Sequence, residues 1–199
     1  AIEDGLRQPD AAALASLSEE TRRLGGLVDD LHQLALADAG GLSLRLATVN
    51  LAELLDDIRT KWQPRFEQAG LALAVTSTDA PSAVIDRDRF RQALDNLLSN
   101  SLRYTSRGGQ CRITAAHDDG GVVLRIDDSA PGVPDDALPR LFDRLYRVDA
   151  SRSRETGASG LGLAIVRSLI EAHGGTASAA HSDLGGLAVT LRLPAEASA

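Results

Sequence analysis

The sequence predicts an α+β fold: a mixed sheet with helices covering one face, preceded by a fragment of a helical hairpin. Three observations carry this. Apolar residues recur at heptad spacing over positions 14–35. Beyond Gly70 the pattern shortens to alternating runs of strand length, two of them joined by the hairpin signal Asp118-Asp119-Gly120-Gly121. Two apolar-striped helical segments, 86–103 and 161–173, fall between those runs, as helices packed on a sheet do.

The first segment places Leu14, Leu17, Leu24, Val28, Leu31 and Ala35 in steps of three and four, apart from Thr21, with Leu27 and Leu34 widening the stripe. Glu19, Glu20, Arg22, Arg23, Asp29 and Asp30 take the other faces, so the helix wants a partner helix. Residues 1–8 read as the stub of one, with Pro9-Asp10 as the turn. A bundle or dimer interface is the favoured reading, and packing on the main domain is the alternative. Ala39-Gly40-Gly41 ends the helix, and a strand-like run 42–49 leads to Asn50, an N-cap with Glu53 in the capping-box position for a helix to about residue 66.

Runs 71–76 and 83–85 then read as strands, and the helix 86–103 carries Phe90, Leu94, Leu97 and Leu98 inward. Strands 110–117 and 122–127 flank the hairpin signal. The polar, Arg-rich stretch 131–159 is long for a connector, which in a compact domain marks function or mobility. The helix 161–173 stops at Gly174-Gly175, and 176–181 with 187–193 supplies a final hairpin. The predicted organisation is a partial hairpin over 1–42, a main domain over 43–194 and a tail over 195–199.

Composition narrows the function. A chain of 199 residues, 43% of them hydrophobic, supports one well-buried core with an appendage. A formal net charge of -7 argues against a general nucleic-acid surface, which needs clustered Lys and Arg in excess. The single cysteine, Cys111, rules out a disulfide framework and reads as a small core residue. No apolar run reaches the roughly 18 residues of a spanning helix. The absence of Met and the start at Ala1 suggest an excised fragment, in which any upstream membrane anchor would not be visible.

Three groups of residues carry chemistry. Asn96 and Asn100, four apart on a helix, project from one face, and asparagine carbonyls are neutral oxygen ligands suited to Mg²⁺. Arg103 lies one turn on, in reach of phosphate, and Tyr104 offers a ring to a base. Asp128 follows a strand and opens Asp128-Ser129-Ala130-Pro131-Gly132; a carboxylate there accepts the exocyclic N–H of adenine and faces an unfavourable oxygen in guanine. Gly157-Ala158-Ser159-Gly160-Leu161-Gly162-Leu163 opens a helix, where unpaired N–H groups and the dipole attract phosphate. Singly these are an ordinary surface pair, an ordinary Asp-Ser turn and an ordinary flexible loop. In this order they specify a pocket for ATP.

With Leu141-Phe142-Asp143-Arg144-Leu145-Tyr146-Arg147 between the loops, the four elements resemble the N, G1, F and G2 boxes of bacterial sensor histidine kinases, in that family's order. The match covers about 51–193, and the coiled segment before it looks like the second helix of the dimerisation and phosphotransfer hairpin. Asp128-Ser129-Ala130-Pro131-Gly132-Val133-Pro134, Leu145-Tyr146-Arg147-Val148-Asp149-Ala150-Ser151-Arg152 and Val28-Asp29-Asp30-Leu31-His32-Gln33-Leu34 further resemble the BaeS-like envelope-stress branch.

The resemblance implies the Bergerat-type two-layer sandwich shared with gyrase, the MutL repair proteins and one class of heat-shock chaperone. It implies Asn100 as principal Mg²⁺ ligand and catalytic residue with Asn96 assisting, Arg103 near the phosphates, Tyr104 by the base, and Asp128 on adenine with Gly132 and Val133 beside it. Phe142 would anchor a lid over about 147–159, opened by Arg147. Gly157, Ser159, Gly160, Leu161, Gly162 and Leu163 would surround the nucleotide. The implied partners are ATP or ADP, a response regulator and, in the full-length protein, a second copy joined through the hairpin. The implied location is the cytoplasmic side of a bacterial inner-membrane protein, with this stretch touching neither membrane nor nucleic acid.

Ala130 and Ala158 stand where that family often has glycine. No histidine here is followed by Glu and a nearby Pro, as the phosphoacceptor box requires; His32, His117, His173 and His181 sit in other contexts. The expectation is a donor half unable to phosphorylate itself. Two rivals remain: an ATP-hydrolysing switch of the gyrase or chaperone kind, and a dimerisation module with a non-functional pocket.

Overall fold

Asp10 caps the first helix through Oδ1, which accepts from Ala13 N at 2.7 Å, and so opens α1 (Ala11–Asp38). The structure is a computed structural model that describes residues 10–39, 41–79, 81–118, 120–148 and 159–194. The expected stub at 1–8, the turn residue Pro9 and the tail 195–199 lie outside the described residues.

Strand β1 (Ala47–Asn50) is shorter than the predicted run 42–49 and pairs antiparallel with β3 (Ser82–Ile85) in a sheet of its own. This partner is distant in sequence, so local pattern could not name it. Asn50 Oδ1 accepts from Ala52 N at 2.9 Å and caps α2 (Leu51–Ala69). That helix runs past the predicted end, includes Pro64, and stops only at Gly70, whose φ of 73° is left-handed. β2 (Ala72–Ser77), α3 (Arg87–Tyr104), β4 (Gln110–Asp118), β5 (Gly121–Ser129), a 3-10 turn at Leu138–Arg140, α4 (Gly162–Ala172), β6 (Thr176–His181) and β7 (Gly185–Pro194) follow.

The main sheet has the order β2-β4-β5-β7-β6, with β2 parallel to β4 and every other pair antiparallel, hence mixed. The register aligns Ile113 with Ile126 and Ile126 with Val189, so one row of branched side chains crosses three strands. That row is buried against Leu54 and Ile58 of α2, Phe90, Leu94 and Leu97 of α3, and Ile165 and Leu169 of α4. Alternate residues face the other way. There Asp127, 1% exposed, accepts from Arg125 and from Ser182 Oγ at 3.1 Å. Burial pushes its carboxyl up, but Arg125, Ser182 and the charge of Arg112 outweigh burial and hold it below the usual range.

Helix α1 divides its two stripes. The heptad residues Leu14, Leu17, Leu24, Val28 and Leu31 are 53–65% exposed, whereas Leu34 is 2% exposed and Leu27 packs on the core where α1 meets α4. The seam expected to meet a partner helix is open to solvent, and the widening stripe docks on the domain. Among the described residues no helix is long and apolar enough to cross a membrane.

Candidate functional site

Helix α3 begins at Asp86, whose Oδ1 accepts from Asp88 N and Arg89 N at 3.1 and 3.0 Å while Oδ2 accepts from Arg45 N at 2.8 Å. Its buried positions Phe90, Leu94 and Leu97 fix the helix's rotation on the sheet. That rotation turns Asn96 and Asn100, one turn apart, into a cavity of about 530 Å³, with Arg103 and Tyr104 also on its wall. Asn96 Nδ2 is buried and has no hydrogen-bond partner among the described residues. A buried amide left open is costly, so it marks a place where an external group completes the bonding.

Helix α4 supplies the opposite wall. Among the described residues no side chain caps it, and no acidic residue sits in its first turn, so its leading N–H groups keep their positive end unopposed. A Cβ built on Gly162 would lie 3.9 Å from Asn100 Nδ2 and 3.9 Å from Asn96 Cγ. The glycine thus leaves a space between helix start and asparagines. Ser159, Gly160 and Leu163 line the same cavity, and Ser159 Oγ accepts from Leu161 N at 3.2 Å. Leu161 itself does not line it: at 1% exposure it is a core residue that anchors the turn into α4.

Asp128 closes β5 and reaches the cavity's other part together with Gly132, Val133 and Leu187. Its Oδ1 accepts from Leu187 N at 2.7 Å and its Oδ2 from Ser101 Oγ at 3.0 Å. Burial pushes this carboxyl above its ordinary value; the donors from Leu187 and Ser101 oppose that, and Asp127 adds to it. A Cβ on Gly186 would stand 2.3 Å from Asp128 Oδ1 and 2.5 Å from its carbonyl oxygen, so only glycine lets the chain pass here.

Between the loops, Leu145 at φ 60° donates its N–H to the oxygen of Gly160 at 3.0 Å, where Gly160 has φ 73°. Two left-handed residues thereby join the described segments ending at 148 and beginning at 159. Arg147 lines the cavity with Nε and Nη2 buried and without a hydrogen-bond partner among the described residues, a second incomplete polar group facing the same space. Phe142 does not line it; at 6% exposure it belongs to the core. Gly157, Ala158 and the arginines Arg152 and Arg154 lie outside the described residues.

Several lining groups escaped the sequence reading. Tyr146, under the Arg140 guanidinium at 4.3 Å from ring centroid, is one; its signal was the aromatic inside the connector. Gly26, Leu27 and Asp30 of α1 are others, placed by a tertiary contact that helical spacing does not announce. Burial raises the Asp30 carboxyl above its usual value, and Asp29 adds to this.

The donor set bears on a metal. Among the described residues no group of three or more His, Cys, Asp or Glu is placed to hold one. Two asparagines beside an anion-attracting helix start suit an ion such as Mg²⁺ that takes most of its oxygens from a bound polyphosphate and water.

Comparison with known proteins shows the family and the fold. Residues 85–197 match the family described as histidine kinase-, DNA gyrase B-, and HSP90-like ATPase. The signal transduction histidine-protein kinase BaeS of Escherichia coli (strain K12) is 47% identical over 196 residues, 98% of this chain and 42% of that protein. The chain therefore spans less than half the length of that relative. Acinetobacter baumannii histidine kinase AdeS superposes with a TM-score of 0.81 at 26% identity, covering 98% of this chain and 90% of that one. Full-length ShkA, solved in complex with AMPPNP, gives 0.80 at 31% identity, with 98% of this chain and 40% of that one covered.

Proposed function

The chain belongs to the histidine kinase-, DNA gyrase B-, and HSP90-like ATPase family, and on that premise we propose that it is the ATP-binding catalytic part of a two-component sensor histidine kinase. The observation that carries the reading is the convergence of Asn96 and Asn100, the uncapped start of α4 and Asp128 on one cavity. The ShkA relative, solved with an ATP analogue, supports it.

In this reading Asp128 accepts the adenine amino N–H while Leu187 and Ser101 hold its carboxylate still. The phosphate chain lies along the α4 start, where Gly162 admits it to the backbone amides, and the open guanidinium atoms of Arg147 turn to its oxygens. Asn96 and Asn100 would hold Mg²⁺, which when bound neutralises phosphate charge. The γ-phosphorus exchanges its bond to the bridging oxygen for one to an imidazole nitrogen, releasing ADP and the imidazole proton. The chain's contribution is position and charge, not a covalent intermediate.

In this reading the acceptor is none of the four histidines here, since none is followed by Glu and a nearby Pro. His173 is buried, with Nδ1 on Leu169 O at 2.6 Å and Nε2 accepting from Asp86 N at 3.0 Å, a structural role. His181 pairs with Asp135 on the surface at 2.6 Å. A response regulator would take the phosphoryl group onward, and α1 would join a homodimer on the cytoplasmic side of the membrane. Radiolabel from γ-labelled ATP appearing on this chain in acid-labile form would contradict the donor-half assignment.

The exposed seam of α1 favours one rival, a dimerisation module with an inactive pocket. Millimolar Mg·ATP decides between them. A ligand at about a hundred times its Kd stabilises the folded state by about 2.7 kcal/mol, so a true site raises the melting temperature and a dead one leaves it unchanged. The hydrolytic rival needs a carboxylate base where Asn96 stands, and phosphate release near 1 per second or faster, about the usual enzyme range, would favour it.

A further inference from the structure

Asp30 is held on the cavity wall by its helix. Leu27, one turn before it, packs on the core, and Leu34, one turn after it, is 2% exposed, so the face carrying Asp30 is anchored on both sides. Helix α1 packs against α4, whose first turn is the anion-attracting end of the cavity. The acid shares the cavity wall with groups that favour negative charge: Arg103, Arg147 and the amides at Gly162. Asp128, the other carboxylate lining the cavity among the described residues, is occupied by Leu187 N and Ser101 Oγ.

We propose that Asp30 makes this site selective for metal-loaded over metal-free nucleotide. The inference rests on the nucleotide reading above and adds to it. Free nucleoside triphosphate brings about four negative charges and its magnesium complex about two, and repulsion from a fixed carboxylate in a partly desolvated cavity scales with that charge. The arginines and the helix start attract both forms. Asp30 penalises the metal-free form more and so converts a general polyphosphate site into one that waits for the metal complex.

The test titrates ATP with a chelator, and Mg·ATP, into the whole chain and its variants by calorimetry, reading the ratio of the two Kd values. In Asp30→Asn that ratio falls roughly three- to tenfold, chiefly because metal-free ATP binds more tightly. Asp30→Ser, a second neutral variant checked by its melting curve, gives the same fall. Asp29→Asn, which removes the same charge from a neighbouring exposed position, leaves the ratio unchanged. An unchanged ratio in both Asp30 variants, or an equal fall in Asp29→Asn, overturns the proposal while leaving nucleotide binding intact. Failure of the wild-type chain to bind either form overturns the nucleotide reading and this inference with it.

Discussion

A Cβ built on Gly162, at the first position of α4, would lie 3.9 Å from Asn100 Nδ2 on α3. Two residues far apart in sequence therefore face each other across a gap that one methyl group fills without a clash. Gly162→Ala should leave the melting temperature unchanged or slightly raised, because alanine suits a helix better than glycine by about 0.5–1 kcal/mol. The same change should weaken Mg·ATP binding by about tenfold or more, the methyl standing where phosphate oxygens approach the amides. Paired melting and calorimetry check both halves; loss of binding accompanied by loss of fold would mean the glycine serves packing.

Asp128→Asn separates charge from shape at the base end. Burial raises the folded-state pKa of Asp128 above its unfolded value, so its contribution to stability is present below about pH 3.9 and is lost as pH rises through the folded value. Ionised at neutral pH, the group costs stability. The amide variant should melt no lower than wild type at about pH 7, since an amide oxygen still accepts from Leu187 N. Its ATP affinity should drop by about tenfold, because one acceptor is replaced by a group that can also turn a donor toward the adenine amine.

Acid should unfold the chain partly through Asp86. Burial pushes that carboxyl up, but N–H donors from Arg45, Arg89 and Asp88 hold it below its usual range. A depressed folded pKa contributes stability above the unfolded value of about 3.9 and loses it as pH falls through the lower, folded value. Urea midpoints of wild type and Asp86→Asn should therefore differ at about pH 6 and converge toward pH 3. Parallel pH curves would contradict the assignment.

Gly186→Ala should be among the costliest single changes. Its Cβ would meet Asp128 Oδ1 at 2.3 Å and the carbonyl oxygens of Asp128 and Ser129 at 2.5 and 2.6 Å, and two of those three atoms belong to the backbone. Destabilisation of about 2 kcal/mol or more, read from urea unfolding, is expected.

Much of this was legible in the sequence because period and turn chemistry are local. The strands around Gly120-Gly121, the cap at Asn50 and the inward face of α3 all announce themselves within a few residues. The face shared by Asn96 and Asn100 follows from their spacing alone. What escaped is non-local. The partner of β1 lies across α2, and the donors that hold Asp128 come from Ser101 and from a main-chain N–H on β7. Helix α1 carries two apolar stripes, and spacing does not say which of them meets the domain, so Asp30 could not be assigned to the cavity. Leu161, placed around the nucleotide from motif wording, is a core residue, and Phe142, expected as an anchor beside the lid, is buried in the same core; apolar side chains next to a polar loop serve to anchor it.

The measurement that bears most directly on the central claim is a calorimetric titration of this chain with Mg·ATP and, separately, with Mg·GTP. The account predicts saturable binding of one Mg·ATP per chain and binding of Mg·GTP weaker by at least about tenfold, since guanine sets an oxygen against the Asp128 carboxylate. Absence of Mg·ATP binding, or equal affinity for the two nucleotides, would contradict it.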